Sequence, residues 1–380
     1  MKILIIGVST RAIAESAVRS GYQIAALDAF GDMDSKRLGE CYSLKRDFHT
    51  SFSAAALYAA SRQLAFDAVV YTSNLENHPK VVQSLAGSHP VIGNSAETLA
   101  RVRHWPTLFT TLAGAGFRVP QMVYDGDGRP VDPARKWLRK PIRGGGGHGI
   151  TFWRDGAPSG PGFMLQEHIS GVACSASFIA NGRECVVVGL TEQLIGLPEF
   201  GAHDFRYCGN LLPLEAVRTP SAGRAILRQV QRMAALITRE FGLVGANGMD
   251  FVLSDGEVCL LEINPRYSAS MELIERAYGL PIFDLHVRSV LDGELPEFDL
   301  TARLAEGSFH AKSILFAERD AVTPDTTRWL ESGIRDVPLQ GERLAHGAPI
   351  CTVLAHEATR DACFAALVAR AKALKGEIYA

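Results

Sequence analysis

No apolar run in this chain approaches the ~18–20 residues of a membrane-spanning helix. No Cys-x-x-C pair occurs either: the seven cysteines are scattered, odd in number and without pattern. That argues against a disulfide framework or a zinc site and for reduced thiols, hence a cytoplasmic protein. Charge is nearly balanced, 39 basic against 41 acidic residues. A net charge of −2 gives no electrostatic case for nucleic acid or an anionic membrane as partner. The opening "MKILIIGVST" lacks the length and cleavage site of a signal peptide and reads as a first strand. What remains is an ordinary soluble balance, 47 % apolar and 21 % charged, over 380 residues. That is too long for one core, so two or three domains are expected.

The first third alternates strand and helix. "KILIIG", "YQIAALDAF", "AFDAVVYTS" and "HPVIGN" read as strands. "TRAIAESAVRSG" and the stretches near 51–63 and 76–86 read as helices. This alternation predicts a parallel, Rossmann-like sheet with crossover helices. The first turn, Gly7-Val8-Ser9-Thr10-Arg11, has no G-x-G-x-x-G, so a dinucleotide site is not expected there. Open sheets receive ligands beyond their strand C-termini, which makes Arg11 and the turn "TSNLEN" (72–77) substrate-side candidates.

Two helices are expected over about 95–118, and then "RKWLRKPIRGGGGHGITFWRDG" follows. Gly144 to Gly149 contain a formal G-x-G-x-x-G. The loop does not end in the Gly-Lys-Ser/Thr of a Walker loop. "ITFW" reads as a strand rather than the helix a dinucleotide loop opens, and the other kinase signatures are missing. The pattern left is a glycine hairpin whose backbone N–H groups close over phosphates, with Lys140 on the incoming strand able to reach the same phosphates. A run of four glycines costs backbone entropy without adding packing. After "FMLQ", the short linker Gln166-Glu167-His168-Ile169 lies before two long alternating strands joined at "ANG", an arrangement suited to reading an adenine edge.

The densest chemistry lies in "GANGMDFVLSDGEVCLLEINPR". Two strands, 248–253 and 257–263, meet at the turn "SDG". An antiparallel hairpin there puts Asp250 and Glu262 on one face, and the period of two adds Asn264. Three hard oxygen donors suit Mg²⁺, which completes its shell with waters and nucleotide phosphates. Pro265 fixes the turn, and Arg266 lies within reach of a transferring phosphoryl group.

Taken in order, Lys140 with Gly144–Gly149, Gln166–Ile169, and Asp250, Glu262, Asn264 and Arg266 resemble the ATP-grasp superfamily. The resemblance runs through the whole chain. "RYCGNLLPL" and "STRAIAESAVRSGY" resemble a biotin-carboxylase-related group found in methanogens and methylotrophs. It implies an α/β and α+β fold in four parts: a Rossmann-like domain (1–95), a central lid subdomain with the glycine-rich loop (96–170), a catalytic grasp subdomain (171–300) and a small C-terminal cap (301–380). It implies ATP and Mg²⁺ as cofactors, with Mn²⁺ able to substitute. Lys140, Gly145, Gly146 and His148 would hold phosphates, and Gln166, Glu167, His168 and Ile169 would form the adenine hinge. Asp250, Glu262 and Asn264 would hold the metal, with Lys140 and Arg266 catalytic. The implied reaction is a carboxylate–amine ligation through an acyl phosphate, placed in synthesis of a one-carbon cofactor of the methanopterin or methanofuran type. Alternatives are a biotin-carboxylase-like carboxylating enzyme, for which the chain lacks a Met-Lys-Met biotinylation motif, and a non-catalytic nucleotide-binding protein.

Two positions depart from the family pattern. Where relatives often place a ribose-binding glutamate, seven residues past the hinge acid, this chain has Cys174. Where many have a lysine, "RVRHWP" offers Arg103 or His104. Arg206 and Tyr207, just before the metal hairpin, are further substrate-side candidates. The expected partners are a small carboxylate, a small amine and, as assembly, a homodimer. In the tail, "FHAKSILFAE" and "APICTVLAHE" read as strands, followed by an amphipathic helix. His310 and Lys312 read there as core or surface residues.

Overall fold

The computed structural model describes residues 1–124, 131–154, 159–304 and 307–380. Four short strands, Lys2–Ile6 (β1), Gln23–Asp28 (β2), Glu40–Ser43 (β3) and Ala68–Tyr71 (β4), form a parallel sheet in the order β3-β2-β1-β4. The apolar runs of β1, β2 and β4 are buried, as a sheet covered by crossover helices requires, while β3 at the edge is partly exposed. "HPVIGN" does not become a fifth strand. It makes a single parallel bridge, Val91 to Val69. Pro90 has no N–H to give, and Asn94 turns away to bond Val244 and Asn247. At the end of β2, Asp28 is fully buried and accepts from Thr10, Phe30 and Gly31. The acid that would hold a dinucleotide ribose here caps its own loop instead.

The helices Ala96–Val102 and Trp105–Gly114 lead into the lid. Its strands Met122–Tyr124 (β5), Trp137–Pro141 (β6), Thr151–Phe152 (β7) and Phe163–Glu167 (β8) pair antiparallel in the order β5-β8-β6-β7. "ITFW" is a strand for only two residues.

The largest sheet has seven antiparallel strands. Val172–Asn181 (β9), Cys185–Ile195 (β10), Tyr207–Leu212 (β11), Val244–Ser254 (β12) and Glu257–Asn264 (β13) are joined by Phe309–Phe316 (β14). After a small hairpin of Ala321–Val322 (β15) and Arg343–Leu344 (β16), Pro349–Glu357 (β17) completes it. The order is β13-β12-β9-β10-β11-β14-β17. The segment expected to form a separate cap therefore supplies two strands to the catalytic sheet, because β14 pairs with the edge β11 would otherwise expose. The helix Pro220–Phe241 packs against one face, with Phe178 and Phe251. The other face meets the helices Met271–Tyr278 and Ile282–Leu291 and the N-terminal lobe through Ile179 and Ala246. Side chains alternate along a strand, so Asp250, two and four residues from Gly248 and Ala246, faces the second side.

Candidate active site

The hairpin β12–β13 turns at Asp255 and Gly256, both with positive φ (52° and 79°), the backbone that a tight two-residue turn needs. This turn fixes the register from Ser254–Glu257 to Phe251–Leu260, and beyond it Asp250 pairs with Glu262 and Gly248 with Asn264. A register shift between Asp250 and Phe251 leaves Leu261 as an extra residue, a bulge beside the site. Lys140, from the end of β6, reaches over with Nζ 3.0 Å from Glu262 Oε2. Below it, the Trp105 ring lies 5.2 Å from the same ammonium and 4.7 Å from the Arg103 guanidinium.

The two carboxylates are unlike. Burial and the neighbouring Glu262 push Asp250 up to about 7. It is held by neutral amides, Gln193 Nε2 at 3.0 Å and Asn264 Nδ2 at 2.9 Å. Burial also acts to raise Glu262, but Lys140, Arg103 and Arg266 outweigh it and hold this group down at about 2. The donors fit a hard divalent cation: two adjacent carboxylates and an amide, with no sulfur or imidazole among them. Asn264 turns its nitrogen to Asp250 and its oxygen to Arg266 at 3.0 Å, so its oxygen joins a metal shell only with the amide turned.

The glycine loop is seated. Gly146 O accepts from Tyr207 N at 3.1 Å, and Gly144 O accepts from Asn77 Nδ2 at 3.2 Å. Gly147 has φ +76°, and a Cβ there would lie 1.8 Å from Phe205 O, so only glycine passes. Gly145 faces open space. His148 Nε2 lies 3.4 Å from Arg206 Nη2, and burial and Arg206 lower the pKa of its ring. Arg206 stacks 4.0 Å over Phe316, with its Nε buried and unpartnered. Tyr207 points the other way and donates to Asn210 Oδ1, which lies in the same polar row as Gln193. Arg206, just before β11, and Tyr207, its first residue, thus point in different directions.

The hinge is more self-contained than its sequence suggests. Glu167 accepts from Gln121 N at 3.0 Å and pairs with Arg135, while its own N–H bonds Gln121 O. Its carboxylate is therefore spent within the lid, and any adenine contact falls to the link beyond it. His168 donates its N–H to Lys136 O, and its ring sits 5.4 Å from Phe152. Gln166 is buried, with Nε2 3.5 Å from Leu261 O. Ile169 lies in the same link before β9.

Arg11 does not line the cleft. It is 1 % exposed. Its guanidinium meets Glu272 at 2.5 and 3.1 Å and Asp336 at 3.0 and 3.1 Å, tying the N-terminal lobe to the helix Met271–Tyr278 and the C-terminal segment. Its place on the first helix aims it between lobes, where acids already occupy it. Lys312 joins the same cluster, 2.6 Å from Glu272, and His310 stacks on His356 at 4.2 Å. Cys174 is in the hydrophobic core, so no ribose contact comes from that position. Of Arg103 and His104, only Arg103 turns to the site, donating to Ile263 O at 3.0 Å and Asn77 Oδ1 at 2.7 Å. His104 bonds Thr107 at the surface.

Two site residues escaped the sequence reading as individuals. Glu76 binds Arg266, and Gln193 holds Asp250. "TSNLEN" was visible as a turn at a strand end, but no local pattern marked Glu76 within it. Nothing in β10 marked Gln193.

Residues 106–270 match the model of the ATP-grasp domain. An uncharacterized protein of Methanocaldococcus jannaschii, MJ0776, is 22 % identical over 94 % of this chain and 88 % of its own. Two Thermoplasma carbamoyl phosphate synthase large chains are matched over only 22 % of their own length. Among solved structures, biotin carboxylase from Campylobacter jejuni superposes with a TM-score of 0.71 at 14 % identity, covering 99 % of this chain and 91 % of that one. L-amino acid ligase from Bacillus licheniformis gives 0.69 at 14 % identity, with 98 % of each chain covered. No helix among the described residues is long and apolar enough to cross a membrane. The ATP-grasp domain match thus spans the glycine loop, the hinge and the β12–β13 hairpin, and the likeness in fold extends over the rest of the chain.

Proposed function

We propose that this protein is an ATP- and Mg²⁺-dependent carboxylate–amine ligase. The observation that carries the reading is one chain of contacts, Lys140–Glu262, Asn264–Asp250 and Arg266–Asn264, all at 2.9–3.0 Å, at the mouth of the glycine loop. Lys140 would leave Glu262 to hold nucleotide phosphates. The backbone of Gly145 and Gly146 and the His148 ring would close over them. Mg²⁺ held by Asp250 and Glu262, with Asn264 turned, supplies charge neutralisation for the leaving ADP. A substrate carboxylate oxygen attacks the γ-phosphorus, the bond to ADP breaks, and Arg266 stabilises charge on the transferring group. The amine nitrogen then attacks the acyl carbon, the C–N bond forms as the bond to phosphate breaks, and the nitrogen gives up a proton. Arg206, just before β11, and Tyr207, at its start, would be the substrate-side groups. The link from Gln166 to Ile169 would lie along adenine.

The relative from Methanocaldococcus jannaschii, matched over 94 % of this chain, is in keeping with the methanogen-associated group named above, and a role in one-carbon cofactor synthesis is part of the same proposal. Mn²⁺ in place of Mg²⁺ and a homodimer belong to the same reading. A carboxylating enzyme is the second reading, supported by the extent of the likeness to biotin carboxylase. ADP release measured over acid–amine pairs, with bicarbonate and free biotin as a separate arm, distinguishes the two. An acid labelled with ¹⁸O in its carboxylate passes one labelled oxygen to phosphate. AMP as product, or unlabelled phosphate with full amide yield, defeats the acyl-phosphate mechanism.

A further inference from the structure

We infer that Glu76 of the N-terminal lobe is a positioning residue for the transfer chemistry, aiming the Arg266 guanidinium at the reacting phosphoryl group. Asn77 beside it registers the glycine loop against the same strand end. This rests on the ligase reading above, and the geometry is specific. Glu76 Oε1 alone accepts from both Arg266 Nε (3.0 Å) and Nη2 (2.9 Å). Nη2 also bonds Asn264 Oδ1 at 3.0 Å, and Nη1 bonds Tyr267 O at 3.1 Å. Four of the five guanidinium N–H groups are thereby fixed among the described residues, leaving one on Nη1 for an incoming group.

A pair selected for stability alone would engage both carboxylate oxygens in a parallel fork. Here Glu76 is 2 % exposed, and its Oε2 is buried without a hydrogen-bond partner among the described residues. Leaving that oxygen bare is costly, so the contact holds direction at the expense of stability. Asn77 completes the arrangement. Its amide nitrogen holds Gly144 O at 3.2 Å, and its oxygen takes Arg103 Nη2 at 2.7 Å. Arg103 in turn bonds Ile263 O at 3.0 Å, one residue from Asn264. One three-residue turn, Leu75–Asn77, thus sets the phosphate loop and the arginine relative to each other.

The test needs no knowledge of the acid or the amine. Aluminium fluoride beside MgADP imitates a phosphoryl group in transfer, so the affinity it adds over MgADP alone reads the Arg266 contact. Binding of MgADP with and without fluoroaluminate is measured for wild type, Glu76→Ala, Glu76→Gln, Arg266→Ala and the double alanine variant. The expected result is that Glu76→Ala loses most of the added affinity, about tenfold or more, while MgADP affinity stays. Glu76→Gln, which can still accept both bonds, recovers most of it. The double variant should be no worse than Arg266→Ala. If Glu76→Ala weakens both complexes equally, or its loss multiplies with that of Arg266→Ala, the positioning role is overturned. A wild type that gains nothing from fluoroaluminate overturns the ligase reading and this inference together. A gain that Arg266→Ala abolishes and Glu76→Ala preserves overturns only the inference.

Discussion

Two buried ionic clusters lie on the same side of the large sheet, and they are built on opposite plans. Around Arg11, the charges are paired by fixed partners: Glu272 takes both Arg11 and Lys312, and Asp34 accepts the backbone N–H groups of Asp336 and Val337. Around Asp250, the partners are replaceable. One carboxylate is held by two neutral amides, the other by a single lysine. Despite burial, Arg11 and Lys312 keep Glu272 well below the usual carboxylate range, whereas Asp250 is pushed up to about 7 by burial and Glu262. A cluster that ties lobes together satisfies its own charges. A cluster that performs chemistry leaves charge for a ligand to complete.

The largest expected effect tests the first half of that contrast. Arg11→Ala leaves buried Glu272 with Lys312 and Arg276 only, takes from Asp336 its guanidinium partner, and should cost about 3 kcal/mol of stability, read by urea unfolding. ATP affinity of the folded protein should be unchanged. Lost ATP binding at full stability would reverse the roles of the two clusters. Arg266→Ala tests the other half. It should lower kcat by roughly 10²–10³ in an ADP-release assay while ATP binding is largely kept. A drop in stability without a drop in kcat would make Arg266 a tie like Arg11.

Lys140→Ala should weaken ATP binding by about 1.5–3 kcal/mol and leave the fold intact, as calorimetric titration and a melting curve would show. Unchanged affinity removes Lys140 from the phosphate site. The smallest effects separate glycines within one loop. Gly147→Ala meets both a positive φ and Phe205 O, and should cost about 1 kcal/mol or more in loop docking and slow turnover. Gly145→Ala meets nothing and should be silent. Equal behaviour of the two would mean that the loop is not seated against Phe205 when it works.

What could be read from the sequence was local. The "SDG" turn and the period of two made the hairpin legible, but they alone would set Asp250 against Leu261; the bulge that brings it opposite Glu262 left no mark in the sequence. The lid strands and the long helix after residue 220 followed from their own patterns. Contacts between distant segments were not legible. Glu76 meets Arg266 across 190 residues, and a carboxylate in a polar turn looks the same whether solvated or paired. Arg11 was misplaced because position at a strand end predicts nearness to a cleft but not which neighbour fills it. Glu167 was credited to the nucleotide because an acid in a linker looks unattached, yet Arg135 reaches its side chain from the turn before β6. The joining of β14 and β17 to the main sheet depends on edge pairing, for which apolar alternation carries no address.

That late pairing bears on how the protein is made. β14 lies between β11 and β17, and β17 ends at Glu357. A nascent chain released only as far as the metal hairpin holds Asp250, Glu262 and Asn264 but displays β11 as a bare edge, open to pairing with another chain. The sheet closes only when β17 has left the ribosome. A premature stop before β14 therefore yields more than a protein lacking its tail: it yields an unfinished sheet with a ready template for aggregation, even though every residue assigned to ATP has already been synthesised.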